Sequence, residues 1–119
     1  GRSLDNPYMN KALILVVEDD RPIRNLIVTT LKTHDYKYLT AENGTTAIME
    51  ASSHQPDIIL LDLGLPDMEG VDVIKKIRTW SNVPIIVISA RSEDADKIEA
   101  LDAGADDYIT KPFSVQESV

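Results

Sequence analysis

Five short strand-like runs recur along the 119-residue chain with helix-patterned stretches between them, and this alternation leaves few architectures open. Residues 12–17 read ALILVV, with no polar alternation, as expected of a strand buried on both faces. Ile23, Leu26, Ile27 and Leu31 follow at helical spacing, with Pro22 tolerated in the first turn. Residues 36–41 form a second, weaker run, and Asn43-Gly44 then opens a helix with Ala47, Ile48 and Ala51 on one face, ended by Pro56. Residues 58–61 (IILL) are a third strand, and Val71, Ile74, Ile77 and Trp80 mark a third helix. Residues 85–88 (IIVI) are a fourth strand. Ser92 is expected to cap a fourth helix, with Glu93 and Asp94 favourable near its positive end. Gly104 fits the stop of that helix, residues 107–110 form a short fifth strand, and residues 114–119 read as the start of a last helix. Strands alternating with helices are βαβ units. They build a mostly parallel sheet, covered by helices on both faces, with right-handed crossovers.

In such sheets a ligand sits beyond the carboxyl ends of the strands. The polar residues just after each strand therefore carry the functional question. Glu18, Asp19 and Asp20 follow the first strand, Asp62 the third, Ser89 the fourth and Lys111 the fifth. Converging carboxylates repel one another and resist burial unless a cation compensates. Oxygen ligands with room for water suit Mg²⁺, and Mg²⁺ beside a lysine suits phosphoryl chemistry. One of the carboxylates would then be the nucleophile, forming an aspartyl phosphate.

Taken singly, each residue has a plainer role. Asp20 ahead of Arg21-Pro22 reads best as a helix cap. Asp62 alone would be turn chemistry, Ser89 a loop hydroxyl and Lys111 solvated surface. Their joint occurrence at successive strand ends separates the two readings. His34 and His54 stand at helix ends without metal-ligand spacing, Trp80 reads as partly packed, and Lys75, Lys76 and Arg78 as a solvated helix face.

Composition narrows the partners. Twelve Lys+Arg against twenty Asp+Glu give a formal net charge of −8, which argues against nucleic-acid binding by this piece. Without cysteine there is neither a disulfide nor a thiolate metal site. No apolar run approaches the roughly 20 residues that span a bilayer. Residues 1–8 show no hydrophobic period and no signal-peptide core, and read as a leader left from cloning, with Met9 the native start.

The wording of four stretches is specific in combination: VVEDD at 16–20, DIILLDLGLPDMEG at 57–70, VPIIVISAR at 83–91 and GADDYITKPF at 104–113. Together they resemble the receiver domain of bacterial two-component response regulators, and most of all the OmpR/PhoB subfamily in its potassium-homeostasis branch. The resemblance implies a flavodoxin-like (CheY-like) doubly wound sheet over residues 9–119, in the strand order 2-1-3-4-5, with the fifth helix truncated. It implies a cytoplasmic phosphoacceptor that assists its own phosphorylation and dephosphorylation, not an enzyme. Asp62 corresponds to the phosphoacceptor. Asp19, Asp62 and the backbone of Gly64 correspond to the Mg²⁺ ligands, with Glu18 acting through water. Ser89 and Lys111 correspond to the groups that contact the phosphoryl oxygens, and Tyr108 to an aromatic switch that turns inward when Ser89 moves. The bond before Pro112 is expected to be cis. Implied partners are a sensor histidine kinase, a second copy of the phosphorylated protein, and DNA through a C-terminal winged-helix domain outside this chain. The dimer face would involve Lys97, Asp106, Asp107 and Glu117. Lys97 would pair with Glu117, and Asp106 and Asp107 with arginines of the fifth helix that this chain lacks.

Three other classes fit the sequence less well. A haloacid-dehalogenase-type phosphatase would want an Asp two residues after the nucleophile, where position 64 is Gly. A nucleotide-binding module would want GxxxxGK[ST] or GxGxxG, and neither is present. A phosphorylation-independent binding domain on the same fold would not need the acidic pair, Asp62, Ser89 and Lys111 together.

Overall fold

The computed structural model describes residues 12–111. The elements in chain order are β1 (Leu13–Val17), α1 (Arg21–Thr33), β2 (Lys37–Ala41), α2 (Gly44–His54), β3 (Ile58–Leu61), α3 (Gly70–Arg78), β4 (Ile85–Ser89), α4 (Asp94–Ala103) and β5 (Asp107–Thr110). The five strands form one sheet in the order β2-β1-β3-β4-β5, and every neighbouring pair is parallel. This is the expected order and the expected fold class. The reading of residues 1–8 as a leader, the cis bond before Pro112, the last helix and Glu117 all lie outside the described residues.

Alternate residues of each strand face opposite sides of the sheet. Leu15, Val17, Ile59, Leu61, Ile85 and Val87 join Ala47, Ala51, Ile74, Ile77 and Ala100 in one buried cluster beneath α2, α3 and α4. Leu60, offset by one, lies instead beside Leu26, Ile27 and Leu31 of α1. The helices therefore cover both faces, and none of the thirteen residues of α1 is fully buried.

Helix starts follow local chemistry. The Asp20 carboxylate accepts from the N–H of Ile23, and Pro22 sits in the first turn of α1. The Asn43 side chain accepts from the N–H of Thr46 and caps α2. Gly104 ends α4 with φ 125°, a conformation that favours glycine.

Three expectations need correction. Arg78 is not solvated with Lys75 and Lys76 but half-buried, its guanidinium donating to the Gly104 and Ser81 carbonyls. The fourth helix starts at Asp94, not after a Ser92 cap, and Glu93 stands at the cap position without a side-chain hydrogen bond. Residue 91 just before it is tied elsewhere, because its N–H donates to Ser89 Oγ and its carbonyl accepts from the Tyr108 hydroxyl. Asp94 and Asp96 in the first turn still offset the exposed N–H dipoles. Trp80 does not complete the α3 stripe either. The helix stops at Arg78, and the indole lies beyond it, beside Ala51, Gln55, Pro56, Ser81 and Val83 in a shallow cleft. His34 caps the end of α1 and His54 pairs with Glu50 on α2, as surface histidines do.

Candidate functional site

The first, third, fourth and fifth strands each deliver a polar side chain to the carboxyl edge of the sheet. Val17 and Leu61 pair in register, so the residues that follow them, Glu18 and Asp62, leave the sheet side by side. Glu18, Asp19 and Asp62 bring carboxylate oxygens within 4.8 Å of one another. Glu18 and Asp62 are buried and Asp19 is exposed, so the cluster opens to solvent on one side.

Lys111 enters from the end of β5. Its backbone N–H donates to the Ser89 carbonyl at 2.6 Å, which continues the β4–β5 ladder by one bond. Its Nζ donates to Glu18 Oε1 at 3.0 Å and lies 3.7 Å from Asp62 Oδ1. Glu18 Oε2 accepts from the N–H of Asp20 at 3.2 Å. Burial pushes the Glu18 carboxyl up to about 7, from an ordinary 4.5. Lys111 opposes that rise, Asp62 adds to it, and burial prevails.

With all three acids ionised, three negative charges against one ammonium leave an excess of two. A divalent cation neutralises that excess, and carboxylate oxygens at these separations are the donors Mg²⁺ prefers. The donor set therefore fits the ion that the sequence implies.

The loop after Asp62 turns back tightly. Gly64 makes an antiparallel bridge with Glu69, and the N–H of Gly70 donates to the Leu63 carbonyl at 2.8 Å. A Cβ at residue 70 would stand 2.6 Å from Leu63 Cα and 2.8 Å from the Asp62 carbonyl oxygen, so only glycine lets α3 start this close to Asp62. Across the mouth of the site, Arg91 Nη1 pairs with Glu69 Oε1 at 3.2 Å, and its Nη2 lies 4.0 Å from where a Gly64 Cβ would be.

Ser89 is buried and Tyr108 half-buried. They are linked through Arg91: Ser89 Oγ accepts from its N–H at 3.1 Å, and the Tyr108 hydroxyl donates to its carbonyl at 2.7 Å. Sequence reasoning missed Arg91 and Glu69, whose meeting depends on two loops converging and leaves no local pattern.

The residues assigned to a dimer face are less uniform. Lys97 is half-buried on α4, and Asp107 Oδ1 accepts from the N–H of its neighbour Tyr108. Asp106 has partners inside the domain. Its Oδ2 accepts from the N–H of Ile85 at 2.8 Å and from Arg78 Nη2 at 3.1 Å.

Residues 14–119 match the profile of the response regulator receiver domain. The chain belongs to that family. It is 50% identical over 104 residues to the KDP operon transcriptional regulatory protein KdpE of Escherichia coli, covering 87% of this chain and 46% of that protein. It is 48% identical over 105 residues to KdpE of Mycobacterium tuberculosis, covering 88% and 46%. The chain thus spans about half the length of these relatives. Among solved structures, the receiver domain of sensor histidine kinase PA1611 from Pseudomonas aeruginosa, with magnesium coordinated in its active-site cleft, superposes with a TM-score of 0.80 at 32% identity. That match covers 91% of each chain. The BeF3-activated receiver domain of Klebsiella pneumoniae RstA gives 0.79 at 31% identity, covering 89% of this chain and 92% of that one. Among the described residues, no helix is long and apolar enough to cross a membrane.

Proposed function

We propose that this receiver domain accepts a phosphoryl group on Asp62 from the phosphohistidine of a sensor kinase, in a Mg²⁺-dependent in-line transfer. The observation that carries the reading is the grouping of Glu18, Asp19 and Asp62 around a single ammonium, that of Lys111. One Asp62 oxygen forms the new P–O bond as the P–N bond to imidazole breaks, and the departing nitrogen keeps the electron pair. Bound Mg²⁺ would supply charge neutralisation for the phosphoryl oxygens. Asp19, Asp62 and the Gly64 backbone would hold it, with Glu18 acting through water. Lys111 would move from Glu18 toward a phosphoryl oxygen, a short reach given its 3.7 Å distance from Asp62. Ser89 would donate to another oxygen. That motion would loosen the Ser89 bond to Arg91, and Tyr108, held by the carbonyl of the same residue, would feel it. The equilibrium between two pre-existing arrangements would shift accordingly.

The similarity to KdpE supports a finer reading. The chain would be the receiver of an OmpR/PhoB-type, KdpE-like transcription regulator of potassium homeostasis, working in the cytoplasm with a KdpD-like kinase. Phosphorylation would pair two copies through α4, β5 and the segment beyond, with Lys97, Asp106, Asp107 and Glu117 on that face. A DNA-binding domain in the other half of the full protein would deliver the output.

Replacing Asp62 with Asn tests the central step. The parent should incorporate one phosphoryl group from labelled acetyl phosphate in the presence of Mg²⁺, and Asp62→Asn should incorporate none. Equal labelling of the two proteins would sink the assignment.

A further inference from the structure

The loop from Asp62 to Gly70 carries the phosphoacceptor and Gly64, and its tip is fastened to a different helix. Asp67 Oδ1 accepts from the N–H of Gly44 at 2.7 Å. Its Oδ2 accepts from the N–H of Thr45 at 2.9 Å and from Thr45 Oγ1 at 2.8 Å. These two N–H groups belong to the first turn of α2, whose local cap, Asn43, serves only Thr46. The hydrogen bonds from Gly44 and then Thr45 hold the Asp67 carboxyl down at about 2. Packing reinforces the attachment. A Cβ at residue 44 would stand 2.4 Å from Met68 Cγ, 2.6 Å from Met68 Sδ and 2.9 Å from Val73 Cγ2, so the loop sits directly on a glycine of α2.

Only Leu65 and Pro66 separate Asp67 from Gly64. Proline fixes its own φ, which leaves the link little slack. The other side of the loop is tied by the Gly64–Glu69 bridge and by the Gly70 N–H on the Leu63 carbonyl. Displacing Asp67 from α2 would therefore move the Gly64 backbone.

We propose that Asp67 is a positioning residue for the phosphorylation site: by fastening the β3–α3 loop to the first turn of α2, it sets where the Gly64 backbone meets the divalent cation. The inference rests on the reading of Asp62 as a Mg²⁺-dependent phosphoacceptor. It adds a helix, α2, to the support of a site otherwise built on strand ends. A carboxylate suits the task because its two oxygens meet three donors, and its charge is favourable at a helix N-terminus.

The test is Mg²⁺ affinity, measured by competition with Mn²⁺ whose free form is followed by electron paramagnetic resonance. The proteins are the parent chain and Asp67→Ala, Asp67→Asn, Asn43→Ala and Asp62→Asn, each checked for folding by circular dichroism. Asp67→Ala should weaken Mg²⁺ binding about tenfold, as loss of a group that orients a metal ligand generally does. Asp67→Asn, which keeps one acceptor oxygen, should lose less. Asn43→Ala removes a cap from the same helix without touching the loop, and should bind as the parent does. The proposal is overturned if Asp67→Ala binds Mg²⁺ as tightly as the parent, or if Asn43→Ala weakens binding equally. If Asp67→Ala does not fold, Thr45→Ala removes only the hydroxyl donor, and a smaller loss of the same sign is expected; unchanged binding there would overturn the proposal. A parent that fails to bind Mg²⁺ would bring down this inference together with the reading beneath it. A parent whose binding is lost in Asp62→Asn but kept in Asp67→Ala would bring down this inference alone.

Discussion

Acidic residues flank the strands at both edges of the sheet, and the two edges use them in opposite ways. At the starting edge, Asp57 and Asp106 stand just before β3 and β5. Each reaches the first N–H of a neighbouring strand: Asp57 Oδ2 accepts from Leu13 at 2.8 Å and Asp106 Oδ2 from Ile85 at 2.8 Å, with Arg78 adding a second donor to Asp106. At the finishing edge, Glu18, Asp19 and Asp62 meet one another and a single lysine. One residue class thus serves as a strand clamp where open N–H groups await it, and as an excess of charge where they do not. The role is decided by the donors each carboxylate meets.

The pH dependence of the finishing edge should be the largest effect. Glu18 holds its proton more tightly in the fold than in the unfolded chain, so the metal-free fold should lose stability as the pH rises from about 4.5 to about 7. Mg²⁺ binding favours the ionised acid, so its apparent affinity should rise roughly tenfold between pH 6 and 8, with proton release. Titrations in two buffers of different ionisation enthalpy would show it, and a flat profile would mean that Glu18 is ionised throughout.

Substitution at the two edges should then give opposite signs. Glu18→Gln keeps the shape and removes the buried charge. It should stabilise the metal-free protein at pH 8 by on the order of 2 kcal/mol, while weakening Mg²⁺ binding. Asp106→Ala leaves the Ile85 N–H and Arg78 Nη2 without their acceptor, and should destabilise by about 1–2 kcal/mol. Asp57→Ala, which loses one exposed bond, should cost about 0.5–1 kcal/mol. Urea melts of the three variants at pH 8 would decide, and destabilisation by Glu18→Gln would erase the contrast between the edges.

The site was legible in the chain to the extent that it depends on strand ends. A continuous apolar run announces where a buried strand stops, and the next polar residue is then at the sheet edge whatever the rest of the fold does. Glu18, Asp62, Ser89 and Lys111 were all found that way. Asp20, Asn43 and Gly104 were legible because capping is local. Ser92 was misplaced because residue 91 is held by Ser89 and Tyr108, a tertiary tie that pre-empts the local cap. The intradomain partners of Asp106 left no trace in the pattern because they lie 21 and 28 positions away.

What the amino-acid order determined by itself is periodic and short-ranged: five strands, four helices between them, the caps of the first two, and a set of acids and one lysine at the ends of the strands. The fold class follows from these because a strand without polar alternation must be covered on both faces. What only the tertiary structure decided is pairwise and long-ranged. Burial, set by everything packed around it, raised the Glu18 carboxyl to about 7 despite a lysine at 3.0 Å. Likewise, the three donors of Asp67 come from a helix more than twenty residues upstream. Such contacts depend on where whole elements come to rest, and no local pattern in the chain records them.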